Sequence, residues 1–211
     1  MLAKIPGRAP AALVAKKLNS DFTSFARLIF FVGSFLPGRL SSPRMKLLEP
    51  PDLHHLNAAI GWLGLGCADD ARDELQLISA SQQNHPDVLE MWWTLCVHEK
   101  DWPDALKIAE LELKFAPDDA GGWLHRAYAL RRVNGGGLPK AWDALLPAAG
   151  QFPQEPVIAY NLSCYACQMQ QLELAREWLQ RAVQAGQKEV IKQMALADDD
   201  LKPLWLEIQE L

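Results

Sequence analysis

Four alanines recur along most of the chain at almost constant spacing. Ala71, Ala105, Ala141 and Ala175 are separated by 34, 36 and 34 residues. A repeat of this length is typical of chains in which small helical hairpins stack, each covering the apolar face of the next. The spacing therefore predicts an all-α repeat architecture.

Prolines at fixed offsets support the same period. Pro117 follows Ala105 by 12 residues, and Pro153 follows Ala141 by 12 residues. Between these markers the apolar residues recur with a helical period. The two-residue excess of the third repeat falls in the turn 134–137, where added length costs little. The predicted helices are 53–65, 69–80, 87–99, 103–115, 120–132, 139–150, 156–169 and 173–185.

These features make residues 51–186 resemble the tetratricopeptide repeat (TPR) family. That family places a small residue in the first helix of each repeat, and alanines with a larger apolar residue in the second. The matching residues are Ala59, Ala71, Leu75, Trp123, Ala127, Ala141, Leu145, Ala148, Pro153, Leu162, Ser163, Ala175, Leu179 and Ala182.

The resemblance implies a right-handed superhelical stack of about four helix–turn–helix repeats, closed by a C-terminal capping helix pair. The expected repeats are 52–85, 86–119, 120–155 and 156–187, and the cap is 188–211. Within the cap, the acidic run 198–200 could cap the last helix.

The second repeat departs from the family pattern. Trp93 occupies the position of a small residue, and Ala109 occupies the position of a large one. Either the two facing helices exchange volumes at constant packing density, or the register of this repeat is displaced by one residue.

Residues 1–44 differ from the repeat domain, which we place at 45–211. They carry seven of the 21 basic residues and one of the 26 acidic ones. Their apolar run 28–36 loosely resembles the core of a signal peptide, and a membrane-surface contact through residues 25–36 is an alternative. We favour a disordered or non-native extension, with organised sequence beginning after Met45.

Charge excludes one class of partner. The whole chain has a net charge of −5, and the seven basic residues and one acid of the extension leave −11 for residues 45–211. Such a body repels phosphate backbones, and we expect no nucleic-acid partner. The chain also contains no apolar run long enough to span a membrane.

Catalytic chemistry has one candidate, the pair Cys164 and Cys167. A redox pair normally lies at the start of a helix, where the dipole lowers the thiol pKa, whereas these thiols lie inside a predicted helix. A zinc site would need further ligands. We therefore predict no enzymatic activity, no cofactor and no metal, and reduced thiols in a cytoplasmic protein. A thiol- or metal-dependent activity at this face is the alternative.

The resemblance implies a protein-interaction scaffold that binds a peptide or partner protein in a concave groove lined by the first helices. The groove residues carried over are Glu90, Thr94, His98, His125, Tyr128, Arg131, Arg132, Tyr160, Asn161, Cys164, Cys167 and Gln168. Arg131, Arg132 and Asn161 could together hold an acidic group of the partner. Alternatively, the two arginines only end a helix, where its dipole favours cations.

Overall fold

The computed structural model describes residues 47–211, which all fall in the compact unit Leu40–Leu211. The extension 1–44 and the segment 25–36 lie outside the described residues. The helices are α1 (Asp52–Gly64), α2 (Ala68–Leu77), α3 (Pro86–Glu99), α4 (Trp102–Phe115), α5 (Ala120–Arg132), α6 (Leu138–Gln151), α7 (Pro156–Gln168), α8 (Leu172–Ala185) and α9 (Lys188–Leu196), followed by a 3-10 helix (Asp199–Leu204) and α10 (Trp205–Gln209).

The helices pair as hairpins, which confirms the predicted fold class. Helices α1 and α2, α3 and α4, α5 and α6, and α7 and α8 pack together, and each hairpin also contacts the next one along the chain. The observed bounds differ from the predicted ones by at most three residues. No helix within residues 47–211 is long and apolar enough to cross a membrane.

The recurring alanines lie where paired helices approach most closely. Ala71, Ala105, Ala141 and Ala175 are all 0% exposed. In the fourth repeat the approach brings the Ser163 hydroxyl to 2.7 Å from the backbone oxygen of Ala175, to which it donates a hydrogen bond. Since a larger side chain at these positions would push the helices apart, alanine sets the spacing of each hairpin.

The glycine turn before α6 has a steric cause. A Cβ atom at Gly136 would lie 1.9 Å from the backbone oxygen of Leu130, and Gly137 has a φ of +111°. Only glycine fits both conditions. The turn therefore carries the two extra residues of the third repeat without disturbing α6.

The second repeat exchanges volumes between its helices. Trp93 and Ala109 are both fully buried, and Ala105 is buried like its equivalents, so the register of the repeat is kept. Glu112 occupies the position that Ala148 and Ala182 fill in later repeats, and it is buried as well. The departure of this repeat is therefore a local repacking around Trp93 and Glu112.

We predict that Ala141→Leu destabilises the protein by about 1–3 kcal/mol, the usual cost of overpacking a close contact. Ala80→Leu is the control, because Ala80 lies in an exposed turn. The free energy of unfolding, measured with denaturant, should fall only for Ala141→Leu. Equal values for both variants would contradict the assigned helix contact.

Candidate functional site

The groove predicted from the sequence divides into two parts in the structure. Along α3, the side chains of Glu90, Thr94 and His98 are partly exposed. Along α7, every residue from Val157 to Cys167 is buried. The side chains of the α3 part keep some exposed surface, although Glu90 and His98 already have interactions within the chain, and we call this the open part. The α7 part is covered by the chain itself.

Residues 198–209, which contain the 3-10 helix and α10, cover α7. We call these residues the C-terminal segment. The Tyr160 hydroxyl donates a hydrogen bond of 3.0 Å to Oδ2 of Asp198. The Gln168 amide donates one of 2.9 Å to the backbone oxygen of Asp200. The predicted groove residues of α7 therefore contact this segment, which corrects the expectation that they are open to a partner.

The C-terminal segment also forms an ion pair with Arg131, one of the two arginines predicted to line the groove. Arg131 binds the Asp200 carboxylate through both terminal nitrogens, and the Nη2···Oδ1 distance is 3.0 Å. Burial opposes the charge of the guanidinium, but the hydrogen bond and charge of Asp200 outweigh it and raise the pKa of Arg131. This arginine thus already holds an acidic group, supplied by its own chain.

Apolar side chains anchor the C-terminal segment. Leu201, Leu204 and Ile208 are at most 1% exposed. Each such side chain contributes roughly 1.5–3 kcal/mol when fully buried. The Trp205 indole donates a hydrogen bond of 2.9 Å to the backbone oxygen of Ala195 at the end of α9. Apolar burial therefore holds the segment more strongly than its carboxylates do.

Arg132 remains at the boundary between the covered and open parts. Its guanidinium lies 3.5 Å from the centroid of the Tyr128 ring and 5.3 Å from that of Trp102. Among residues 47–211, no carboxylate lies within ion-pair distance of it. Burial lowers the pKa of Arg132, and the charge of Arg131 adds to this effect. Arg132 is therefore a partly buried cation held by two aromatic rings.

The predicted cluster of Arg131, Arg132 and Asn161 does not form one binding point. Arg131 is paired with Asp200, and the Asn161 amide donates a hydrogen bond of 2.9 Å to the backbone oxygen of Val157 in its own helix. Arg132 also donates a hydrogen bond, of 3.1 Å from Nη1 to the backbone oxygen of Tyr128, but it has no carboxylate partner within residues 47–211.

His125 is a core residue and not a groove residue. Its Nδ1 lies 2.7 Å from a carboxylate oxygen of Glu112, and its ring stacks on Trp93 with centroids 3.7 Å apart. Burial opposes the charged imidazolium, but the charge and hydrogen bond of Glu112 outweigh it and raise the pKa of His125. The polar residue that replaces alanine in the second repeat is therefore compensated by a histidine of the third.

The thiols of α7 show little chemical activation. Burial raises the pKa of Cys164 well above its ordinary value, and the carboxylates of Asp198 and Asp200 raise it further. Burial also raises the pKa of Cys167. Within the described part of the chain, no three histidine, cysteine or acidic side chains are placed to hold a metal ion. The raised pKa values disfavour the thiolate, which is the reactive form of a cysteine, at this face.

Sequence reasoning missed Asp198, Asp200 and the apolar anchors as groove contacts. One signal for them is present in α7, whose sequence from Val157 to Cys167 is apolar, aromatic or small at every position except Asn161. A helix of that kind is buried all round, so a further element must cover its groove face.

Comparison with known proteins identifies the fold. No protein-family model matches the chain, and no curated protein matches it. Solved structures of the protein MamA do match the chain. The structure titled MamA 41-end from Desulfovibrio magneticus RS-1 is 19% identical, with a TM-score of 0.56, and the match covers 78% of this chain and 97% of that one.

Two further MamA structures give the same result. One, titled a crystal structure of MamA, is 15% identical with a TM-score of 0.54, covering 72% of this chain and 92% of that one. The other, a double mutant of the RS-1 protein, is 18% identical with a TM-score of 0.56, covering 78% and 97%. At these identities the likeness shows a helical repeat fold of the tetratricopeptide type.

We predict that Glu112→Ala destabilises the protein by about 3 kcal/mol, because it leaves His125 buried without its partner. The double variant Glu112→Ala with His125→Leu should recover most of this loss, since both buried charges are then removed. Denaturant unfolding of the single and double variants measures the difference. A double variant no more stable than the single would contradict the pairing.

The same pair predicts a pH dependence. The pKa of His125 is raised above its ordinary value of 6.5. The pair therefore stabilises the fold fully below that pH, and its contribution is lost as the pH rises through the raised pKa. The stability of the wild type should fall over this range more steeply than that of the double variant. Parallel stability curves would show that His125 does not titrate differently in the folded protein.

Proposed function

We propose that this protein is a non-catalytic interaction scaffold that binds a peptide or a segment of a partner protein in its groove. The binding surface is the open part, which runs along α3 and ends at Arg132 on α5. Stacked helical hairpins commonly use this surface, because their first helices present side chains side by side over an extended length.

One observation carries the proposal: Arg132 is partly buried, stacked on Tyr128 and near Trp102, and without a carboxylate partner in the described part of the chain. A cation held in this way favours an acidic group from outside, because a charge-assisted hydrogen bond would offset its desolvation. An aromatic pair beside a cation is also a common centre of protein interfaces. We therefore expect an acidic partner segment.

The proposed setting is the cytoplasm. All four cysteines, at positions 67, 96, 164 and 167, are free thiols, and three of them are buried. Unpaired buried thiols are typical of proteins that fold in a reducing compartment.

We predict that a photoreactive amino acid at Thr94 captures a protein partner in native lysate, because Thr94 lies on the open part of the groove. The same amino acid at Glu177 is the control, since Glu177 is exposed on the second helix of the last repeat. A specific adduct should form at position 94 and be absent at position 177.

Arg132→Ala should then reduce the yield of that adduct, and Arg132→Lys should reduce it less. The full chain is used throughout, and gel electrophoresis with mass spectrometry measures the adduct. Capture at position 177 alone would place the partner on the outer face and refute the proposed groove.

A further inference from the structure

The C-terminal segment contacts the groove in the way that a bound peptide would. Arg131 holds the Asp200 carboxylate, and Gln168 binds the backbone oxygen of the same residue. The buried residues Leu201, Leu204 and Ile208 then follow Asp200 at one, four and eight positions, a helical spacing. Asp200 and the 3-10 helix therefore cover the α7 part of the groove, and Ile208 continues the same apolar spacing in α10, which packs on α9.

We propose that this segment is a displaceable internal ligand, and that the partner of the groove carries the same pattern: an acidic residue followed by apolar residues at helical spacing. The inference rests on the proposed function and adds to it the kind of partner and the way in which access is regulated. The segment occupies the α7 part until a partner segment replaces it.

A partner segment can replace the internal segment because it would make the same kinds of contact. A partner with this pattern restores the ion pair to Arg131 and the apolar contacts in the α7 part, so the losses and gains in that part largely cancel. Contacts with Arg132 and the open face of α3 are then additional. The partner therefore gains affinity from a surface that the internal segment does not reach.

The internal segment also buries a carboxylate, that of Asp198, which a partner segment need not bury. The Asp198 carboxylate is largely removed from water, and burial raises its pKa. It accepts hydrogen bonds from Tyr160, from the Cys164 thiol and from the backbone N–H of Asp200, but no cation within residues 47–211 lies within ion-pair distance of it. Such a carboxylate weakens the hold of the segment.

The segment is also joined to α9, because the Trp205 indole donates to the backbone oxygen of Ala195 and the Lys192 ammonium donates to that of Gln209. Arg176 on α8 binds the Glu207 carboxylate on α10, at 2.6 and 2.8 Å, and this pair is exposed. Exposed ion pairs contribute little to stability. The exposed residue Ala197 joins the segment to α9, and α9 packs against both α8 and the segment.

The test uses the full chain and a fluorescein-labelled peptide that copies residues 197–209. Leu201→Ala with Leu204→Ala weakens the internal segment without changing the peptide, so the peptide should bind this variant at least about tenfold more tightly than wild type. The matched control is Leu206→Ala, because Leu206 lies in the same segment but is 79% exposed. Fluorescence anisotropy measures the affinity.

The peptide itself provides a second comparison. A copy with Asp200→Asn should bind the weakened variant about tenfold less tightly, since it loses the charged bond to Arg131. A copy with Asp198→Asn should bind at least as tightly as the original, because that carboxylate is a cost. Equal loss for both copies would contradict the assigned roles of the two aspartates.

Opening of the segment is measured independently through Cys164, which lies beneath it with Sγ 3.7 Å from Oδ2 of Asp198. In the full chain, Asp200→Asn should raise the rate at which maleimide modifies Cys164, located by mass spectrometry, by about tenfold or more. It should do so with little change in global unfolding. Leu206→Ala should leave the rate unchanged.

The inference is overturned if the peptide binds no variant, or if Cys164 reacts only as fast as the whole protein unfolds. If the double leucine variant does not fold, the Asp200→Asn chain decides the question alone. Photocapture at Thr94 does not depend on opening of the segment. Capture there without peptide binding would refute the internal ligand and leave the proposed function standing.

Discussion

The close approach of paired helices at one alanine in each repeat is the constraint on which the rest of the structure depends. A methyl side chain at Ala71, Ala105, Ala141 or Ala175 lets the two backbones meet, and the larger side chains beside it then interlock. No single hairpin can cover its own apolar faces, so each one stacks on the next. The spacing of four small residues thus determines the helix pairs, and these pairs produce a continuous row of first helices that can serve as a groove.

Much of this could be predicted, because the signals are local. Helix starts follow from prolines and acidic caps, the turn before α6 follows from its glycines, and the alanine period follows from direct comparison of segments. The interaction between Glu112 and His125 is different, since two positions that break the repeat pattern compensate each other across a repeat boundary. Each residue alone suggests a surface or a binding role, and only their distance in the folded chain shows that they form one buried pair.

The contacts of the predicted C-terminal cap with the groove residues were the larger omission, and the cause is also physical. Arg131 and Asp200 are separated by 69 residues, so nothing in the local pattern of either one indicates the other. The acidic run 198–200 predicts a helix cap, and Asp198 does accept a hydrogen bond from the backbone N–H of Asp200 at the start of the 3-10 helix. That role is genuine but incomplete, because its other carboxylate oxygen faces Tyr160. One side chain thus caps a helix and contacts the groove at the same time.

The charges of the molecule would have opposite effects on the proposed acidic partner at different distances. Residues 45–211 carry a net charge of −11, which repels such a partner during approach, whereas Arg132 attracts its acidic group at contact. Salt at physiological strength screens exposed charges beyond about 8 Å and affects partly buried pairs much less. Added salt therefore weakens the repulsion more than the contact. Under the proposed function, recognition would therefore depend on short-range fit to Arg132, Tyr128 and Trp102. An acidic chain that cannot place a carboxylate there would gain nothing from its charge.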